Sequence, residues 1–193
     1  MKTKKQSIKQ QITAAAIVAV MFFMIYGSMN TERAGAATSS NTILQEVIQG
    51  GTLSIEGPGQ VNFSTITLNT FAVNSTATMT QVNMRDPRGT GAGWTVIGTA
   101  NSLQAVNGAT ISNAFLRWSP GTIYALDGSS NAGVAAGAAY AGNFADSGGK
   151  TLANTSTNNG LGNYVINGTT LNLLVAPSTM SGTYQNTLTL TIS

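Results

Sequence analysis

The stretch Thr183–Ile192, "TYQNTLTLTI", places Tyr184, Leu188, Leu190 and Ile192 on one parity and Thr183, Gln185, Thr187, Thr189 and Thr191 on the other. Apolar residues at every second position fit a half-buried antiparallel strand, because successive side chains of a strand point to opposite faces. Upstream, "TTLNLLV" repeats the pattern through Leu171, Leu173 and Val175. The Asn167-Gly168 pair before it reads as a hairpin turn after Tyr164–Ile166.

The same period recurs in Val61, Phe63 and Thr65 and in Trp94 and Val96. In "ATMTQVNM" Ala77 and Met79 share one parity and Val82 and Met84 the other, so a bulge or twist is expected near Gln81. Strands are expected near 42–48, 51–56, 60–67, 75–84, 93–99, 163–166, 169–175 and 183–192. Short strands, Gly, Pro and Asn turns, and no helical period point to an all-β fold, an antiparallel β-sandwich.

Between Pro120 and Gly162 the chain becomes small, polar and rich in Gly, Ala and Asn. A connection this long is functional, weakly ordered, or hides short strands such as Gly121–Ala125. Tyr124, Tyr140 and Phe144 are its candidate anchors or an exposed aromatic surface, and "AGVAAGAAYA" could form a helical turn or two.

At the start, Lys2, Lys4, Lys5 and Lys9 precede an apolar run from Ile12 to Tyr26, followed by Ala34-Gly35-Ala36. That order is expected of a helical signal peptide over 1–36, removed after Ala36, with the β-sandwich domain over 37–193. A retained anchor is the alternative, but the run is shorter than the about 20 residues of a spanning helix, so no span is expected in the mature chain. After Ala36 the cations are Arg85, Arg88, Arg117 and Lys150 and the carboxylates Glu46, Glu56, Asp86, Asp127 and Asp146. Of the formal charge of +3, the leader therefore carries +4 and the remainder sits near −1, and no basic stripe is left for nucleic acid. With no Cys in the chain, no disulfide framework is available, and the core alone must stabilise the roughly 157 residues after the leader.

The chain has no His and no Cys, which removes the commonest general base, the commonest zinc ligand and thiol nucleophiles. A glycosidase pair would have to come from five scattered carboxylates. No phosphate-binding loop and no calcium-loop pattern occurs. The expectation is a protein that is not an enzyme, with no cofactor and no metal.

Recognition by turn backbone, Arg and aromatics remains. In "RDPRGTGAGW", Arg85–Trp94, Pro87 suits the second position of a turn, and Gly89, Gly91 and Gly93 allow positive φ and close approach. Arg88 offers a planar fork to a carboxylate or phosphate, or else Arg85 or Arg88 pairs with Asp86 to brace the turn. Trp94 offers a flat face to a sugar, or else plugs the core on the parity of Val96.

Val82, Met84, Asp86, Arg88–Trp94 and Val96 resemble the first signature of the WxL domain, a surface module of low-GC Gram-positive bacteria. Its usual form is a valine-rich strand followed by D-x-RGTG-x-GW-x-(L or V). The second signature, "AGTY-x-x-x-(I/L)-T-W-T-L", is matched at Ser181–Ile192 by Gly182, Thr183 and Tyr184. Leu190 stands where the second Trp is expected. The likeness extends over nearly all of the chain, including the "G-x-L-x-I" start at Gly51–Ile55.

The resemblance implies a secreted protein attached noncovalently to the cell wall through peptidoglycan or another wall glycan, acting with a membrane-anchored surface partner. Carried onto this chain, the ligand-binding positions are Asp86, Arg88, Gly89, Gly91, Gly93 and Trp94, with Tyr184 and Leu190 at the second motif. Two other readings stand beside it. One is a structural subunit that polymerises by β-strand addition along the unblunted Thr183–Ile192 edge. The other is a carbohydrate-binding adhesin that uses the 120–162 segment.

Overall fold

The structure, a computed structural model, describes residues 43–193, so the expected leader over 1–36 lies outside the described residues. The chain divides into Met1–Glu46 and a compact unit, Val47–Ser193. Of the first unit only 43–46 are described; they are exposed and belong to no helix or strand. Among the described residues no helix is long and apolar enough to cross a membrane.

The compact unit is all-β, antiparallel and sandwich-like. Its first sheet is built on two 14-residue strands, β2 (Val73–Asp86) and the later β10 (Gly162–Val175), paired from Gly162↔Asp86 to Val175↔Val73. A short β1 (Ser54–Glu56) lines the outer edge of β2. The second sheet runs β12 (Leu188–Ile192), β3 (Trp94–Ala100), β9 (Lys150–Thr155) and β8 (Val134–Ala136). A small third sheet joins β11 (Tyr184–Gln185), β4 (Leu103–Ala105) and β5 (Thr110–Ile111). The other edge of β10 takes β6 (Leu116–Ser119) against Thr170–Leu173 and β7 (Thr122–Leu126) against Asn163–Asn167.

Alternation in the sequence becomes burial. On β2, Ala77 and Met79 point inward, as do Val82 and Met84, and the parity changes between Met79 and Val82 as expected. No residue is inserted: β10 changes parity at the same height, between Ile166 and Thr169, so the two strands turn over together with their register intact. Gly168 sits in that step at φ 75°, a conformation open to glycine without strain. The Asn167-Gly168 hairpin is therefore corrected. The positive φ there inverts the faces of one long strand instead of reversing the chain, and 163–166 and 169–175 are one strand. A true register shift lies elsewhere, opposite Val96 and Ile97, where β9 presents both Leu152 and Ala153 to the core.

Other boundaries also change. No strand forms at 43–48, where no partner among the described residues pairs with the backbone, and residue 42 lies outside the described residues. Residues 60–67 form none either; Val61, Phe63 and Ile66 pack on the core, and the segment is tied to β2 at Ser64, whose N–H and Oγ donate to Thr76 O at 2.9 and 3.2 Å and whose O accepts from Ser75 Oγ at 2.7 Å. The 183–192 strand breaks at Asn186–Thr187, so that β11 pairs with β4 and β12 with β3. The 120–162 excursion contains β7, β8 and β9, and "AGVAAGAAYA" holds strand β8 rather than helical turns, with Gly137 N–H bonded to Leu152 O.

The core lies between the two large sheets. Trp94 of β3 and Tyr164 of β10 meet with ring centroids 5.7 Å apart. Trp118 of β6 lies over Gly98 of β3, where any side-chain carbon would collide with the indole. Phe144 meets the edge of Trp118, with ring centroids at 5.0 Å, and pins the middle of the excursion to the sandwich.

Candidate functional site

The Pro87–Gly93 turn joins β2 of the first sheet to β3 of the second. Its glycines carry the reversal: Gly89, Gly91 and Gly93 have φ of 71°, 62° and 77°. Gly93 has a second constraint, because a Cβ there would lie 2.9 Å from Thr155 O.

Asp86, at the end of β2, is 1% exposed. Arg88 donates to it twice, Nε to Oδ1 at 2.8 Å and Nη2 to Oδ2 at 2.9 Å, and its backbone N–H adds a third bond at 3.2 Å. The same Nη2 reaches across the turn to Gly93 O at 2.7 Å. Hydrogen bonding from the Arg88 side chain holds the Asp86 carboxyl below the usual carboxylate range against the opposing effect of burial; the Arg88 N–H and charge reinforce it. Of the two uses open to Arg88 in the sequence, the structure displays the brace, and Nη1 makes no bond among the described residues.

Trp94 is 3% exposed, and its Nε1 donates to Gly160 O at 2.8 Å. Asn158 N–H donates to Gly91 O at 2.7 Å, while Gly51 N–H donates to Pro87 O at 2.8 Å. The turn is thus held from beneath by its own ion pair, from one flank by 158–160 and from the other by Gly51. What it exposes is Pro87, Gly89, Thr90 and Ala92. A Cβ at Gly89 would meet nothing within 4 Å.

The flanking residues Gly51, Asn158 and Gly160 were not legible as parts of this site. The indole bond spans 66 positions, and no sequence spacing links the two loops. Asn159-Gly160 signals a turn and nothing more.

The second-motif positions lie apart from the turn. Tyr184 is half-buried on β11 and its hydroxyl donates to Met180 O at 2.8 Å. Leu190, half-buried on β12, pairs directly with Gly98, the residue roofed by Trp118. The bulk of an indole is therefore present at this height of the core, supplied by β6.

The remaining carboxylates are dispersed. Asp146 accepts from Lys150 Nζ at 2.6 Å, and that bond, followed by the Asn143 N–H, lowers its pKa. Asp127 accepts from Asn163 Nδ2 at 2.7 Å, and Glu56 lies 3.8 Å from Arg85. No group of three or more potential metal-ligating side chains occurs among the described residues. Within the excursion, Tyr124 and Tyr140 are half-exposed and Phe144 is buried. A half-open depression of about 220 Å³ lies beside Trp118, Gly149 and Lys150.

No protein-family model and no curated protein matches the chain. Among solved structures, a family 123 glycoside hydrolase from Clostridium perfringens, described for glycolipid glycan hydrolysis, aligns at 16% identity with a TM-score of 0.31. The alignment covers 63% of this chain and 18% of that one, and a likeness at that level supports no statement of activity.

Proposed function

We propose that this chain is an exported cell-surface protein, not an enzyme, that attaches noncovalently to the Gram-positive cell wall through peptidoglycan and works beside a membrane-anchored surface partner. Support comes from the resemblance of Val82–Val96 to the first WxL signature. The observation that carries the reading is the construction of the Arg88–Trp94 turn, whose charged and aromatic side chains are engaged internally while its tip is bare and open.

In this reading Asp86, Arg88, Gly91, Gly93 and Trp94 shape the turn, and Gly89, Thr90 and Ala92 meet the polymer. A glycine-rich tip exposes backbone N–H and C=O groups that match acetamido and peptide groups, and the spare Nη1 of Arg88 suits a stem-peptide carboxylate. Because the turn is held before binding, little ordering entropy opposes association.

The test is co-sedimentation of the whole chain with purified peptidoglycan and with glycan strands stripped of stem peptides. Sedimentation with the first and release from the second is the expected outcome. Protein left in the supernatant with intact peptidoglycan would overturn the proposal.

A further inference from the structure

Four large aliphatic side chains crowd one short stretch ahead of β1. Ile43, Leu44, Val47 and Ile48 are 91%, 92%, 70% and 90% exposed, and residues 43–48 belong to no helix or strand. Isolated exposed aliphatics are ordinary on a protein surface, whereas four within six residues form an apolar patch of the kind that marks an interaction site.

The same chain offers a place for such a stretch. Among the described residues β12 pairs with β3 along one edge and with no strand along the other. Thr95 and Ser193 exchange both backbone bonds, at 2.8 and 3.1 Å. By the alternation of an antiparallel ladder, Thr191 and Thr189 also bond toward β3, so the N–H and C=O groups of Leu188, Leu190 and Ile192 face away from it. Natural edges are commonly blunted by Pro or charge, yet Thr183–Ser193 contains neither. The side chains of Leu188, Leu190 and Ile192 pack on the core, with Gly57 against Leu190, and remain half-exposed.

We propose that residues 43–48 of one copy add as a strand to the free edge of β12 in a second copy, linking molecules head to tail. Lengths agree: six residues span about 20 Å and the five of β12 about 17 Å. Each face of the added strand would carry two aliphatics and one polar residue, Ile43 and Val47 with Gln45, or Leu44 and Ile48 with Glu46. Donor and acceptor are different surfaces of one chain, so the contact is heterologous and each copy keeps one free end for the next. This association goes beyond wall attachment and does not depend on it.

The absence of cysteine makes the test direct. Two whole-chain variants, Glu46→Cys carrying a tag and Thr191→Cys without one, are mixed and treated with a short bis-maleimide. Both substituted side chains are exposed. A tagged–untagged dimer is expected, with a ladder of higher species when both cysteines are in one chain. Adding Ile43→Asp and Val47→Asp should reduce the mixed dimer at least tenfold while the far-ultraviolet circular dichroism is unchanged, because both side chains project into solvent. A mixed dimer no more abundant than the dimer of Glu46→Cys alone, or a bridge formed only within single chains, would overturn the proposal. A chain that remains monomeric by sedimentation at all concentrations would do the same, whether or not it binds peptidoglycan.

Discussion

The guanidinium of Arg88 meets both carboxylate oxygens of Asp86, at 2.8 and 2.9 Å, beneath a turn whose tip is open to solvent. A bidentate ion pair between residues two apart fixes the direction in which β2 leaves its sheet. The carboxylate is buried, so this pair differs in kind from the exposed Arg85–Glu56 contact at 3.8 Å.

Removing Arg88 leaves a buried carboxylate without its partner, which is far more damaging than the loss of a surface pair. Arg88→Ala is expected to lower the urea unfolding midpoint clearly. Arg85→Ala should leave it within experimental scatter. Equal midpoints for the two variants would remove the bracing role.

The pH dependence follows from the depressed Asp86 pKa. The unfolded carboxyl titrates near its ordinary value of about 3.9, and the folded one lower. The pair's contribution is therefore complete above the unfolded value and is lost as pH falls through the folded one. Urea midpoints of the native chain should drop from about pH 5 downward, and Asp86→Asn, though less stable at neutral pH, should show a shallower acid limb. Asp146 is also lowered, but its carboxylate is exposed, and Asp146→Asn should leave the limb almost unchanged.

Trp94→Phe removes the donor to Gly160 O and leaves that carbonyl without its partner in a buried site. A loss of about 2 kcal/mol is expected from denaturant unfolding. Gly93→Ala, which forces a side chain against Thr155 O at positive φ, should cost more than Gly89→Ala, where only the roughly 1 kcal/mol of backbone strain applies.

Trp118 and Gly98 form a matched pair across the sandwich, with Leu190 beside Gly98 on β12. Gly98→Ala and Leu190→Trp should each destabilise by about 1–3 kcal/mol through overpacking. Combining Leu190→Trp with Trp118→Leu should recover part of that loss. Thermal melts of the single and double variants decide it; simple additivity would show that the two indole positions do not share one space.

The sequence carried the sandwich because period-2 alternation becomes inward and outward faces without further information. It misled at Asn167-Gly168, where the local signal for positive φ is the same whether the chain reverses or a long strand inverts its faces. Only the partner strand, with its matching change at Thr80–Gln81, distinguishes them. "LRWS" at β6 was not legible because four residues between the 3-10 turn at Asn113–Phe115 and Pro120 are too short to display a period. In the site, the Asp86–Arg88 brace and the buried Trp94 were both visible as options. Their settlement needed Gly93 O, Asn158 and Gly160, which approach only once the two sheets are closed.

The central claim places the wall contact on the exposed tip of a braced turn. Its most direct measurement is the affinity for purified peptidoglycan of Thr90→Asp/Ala92→Asp, read beside its unfolding midpoint. The account predicts at least a tenfold weaker affinity at an unchanged midpoint, with folded Trp94→Phe binding like the native chain. A folded tip variant that binds peptidoglycan as tightly as the native chain would contradict it.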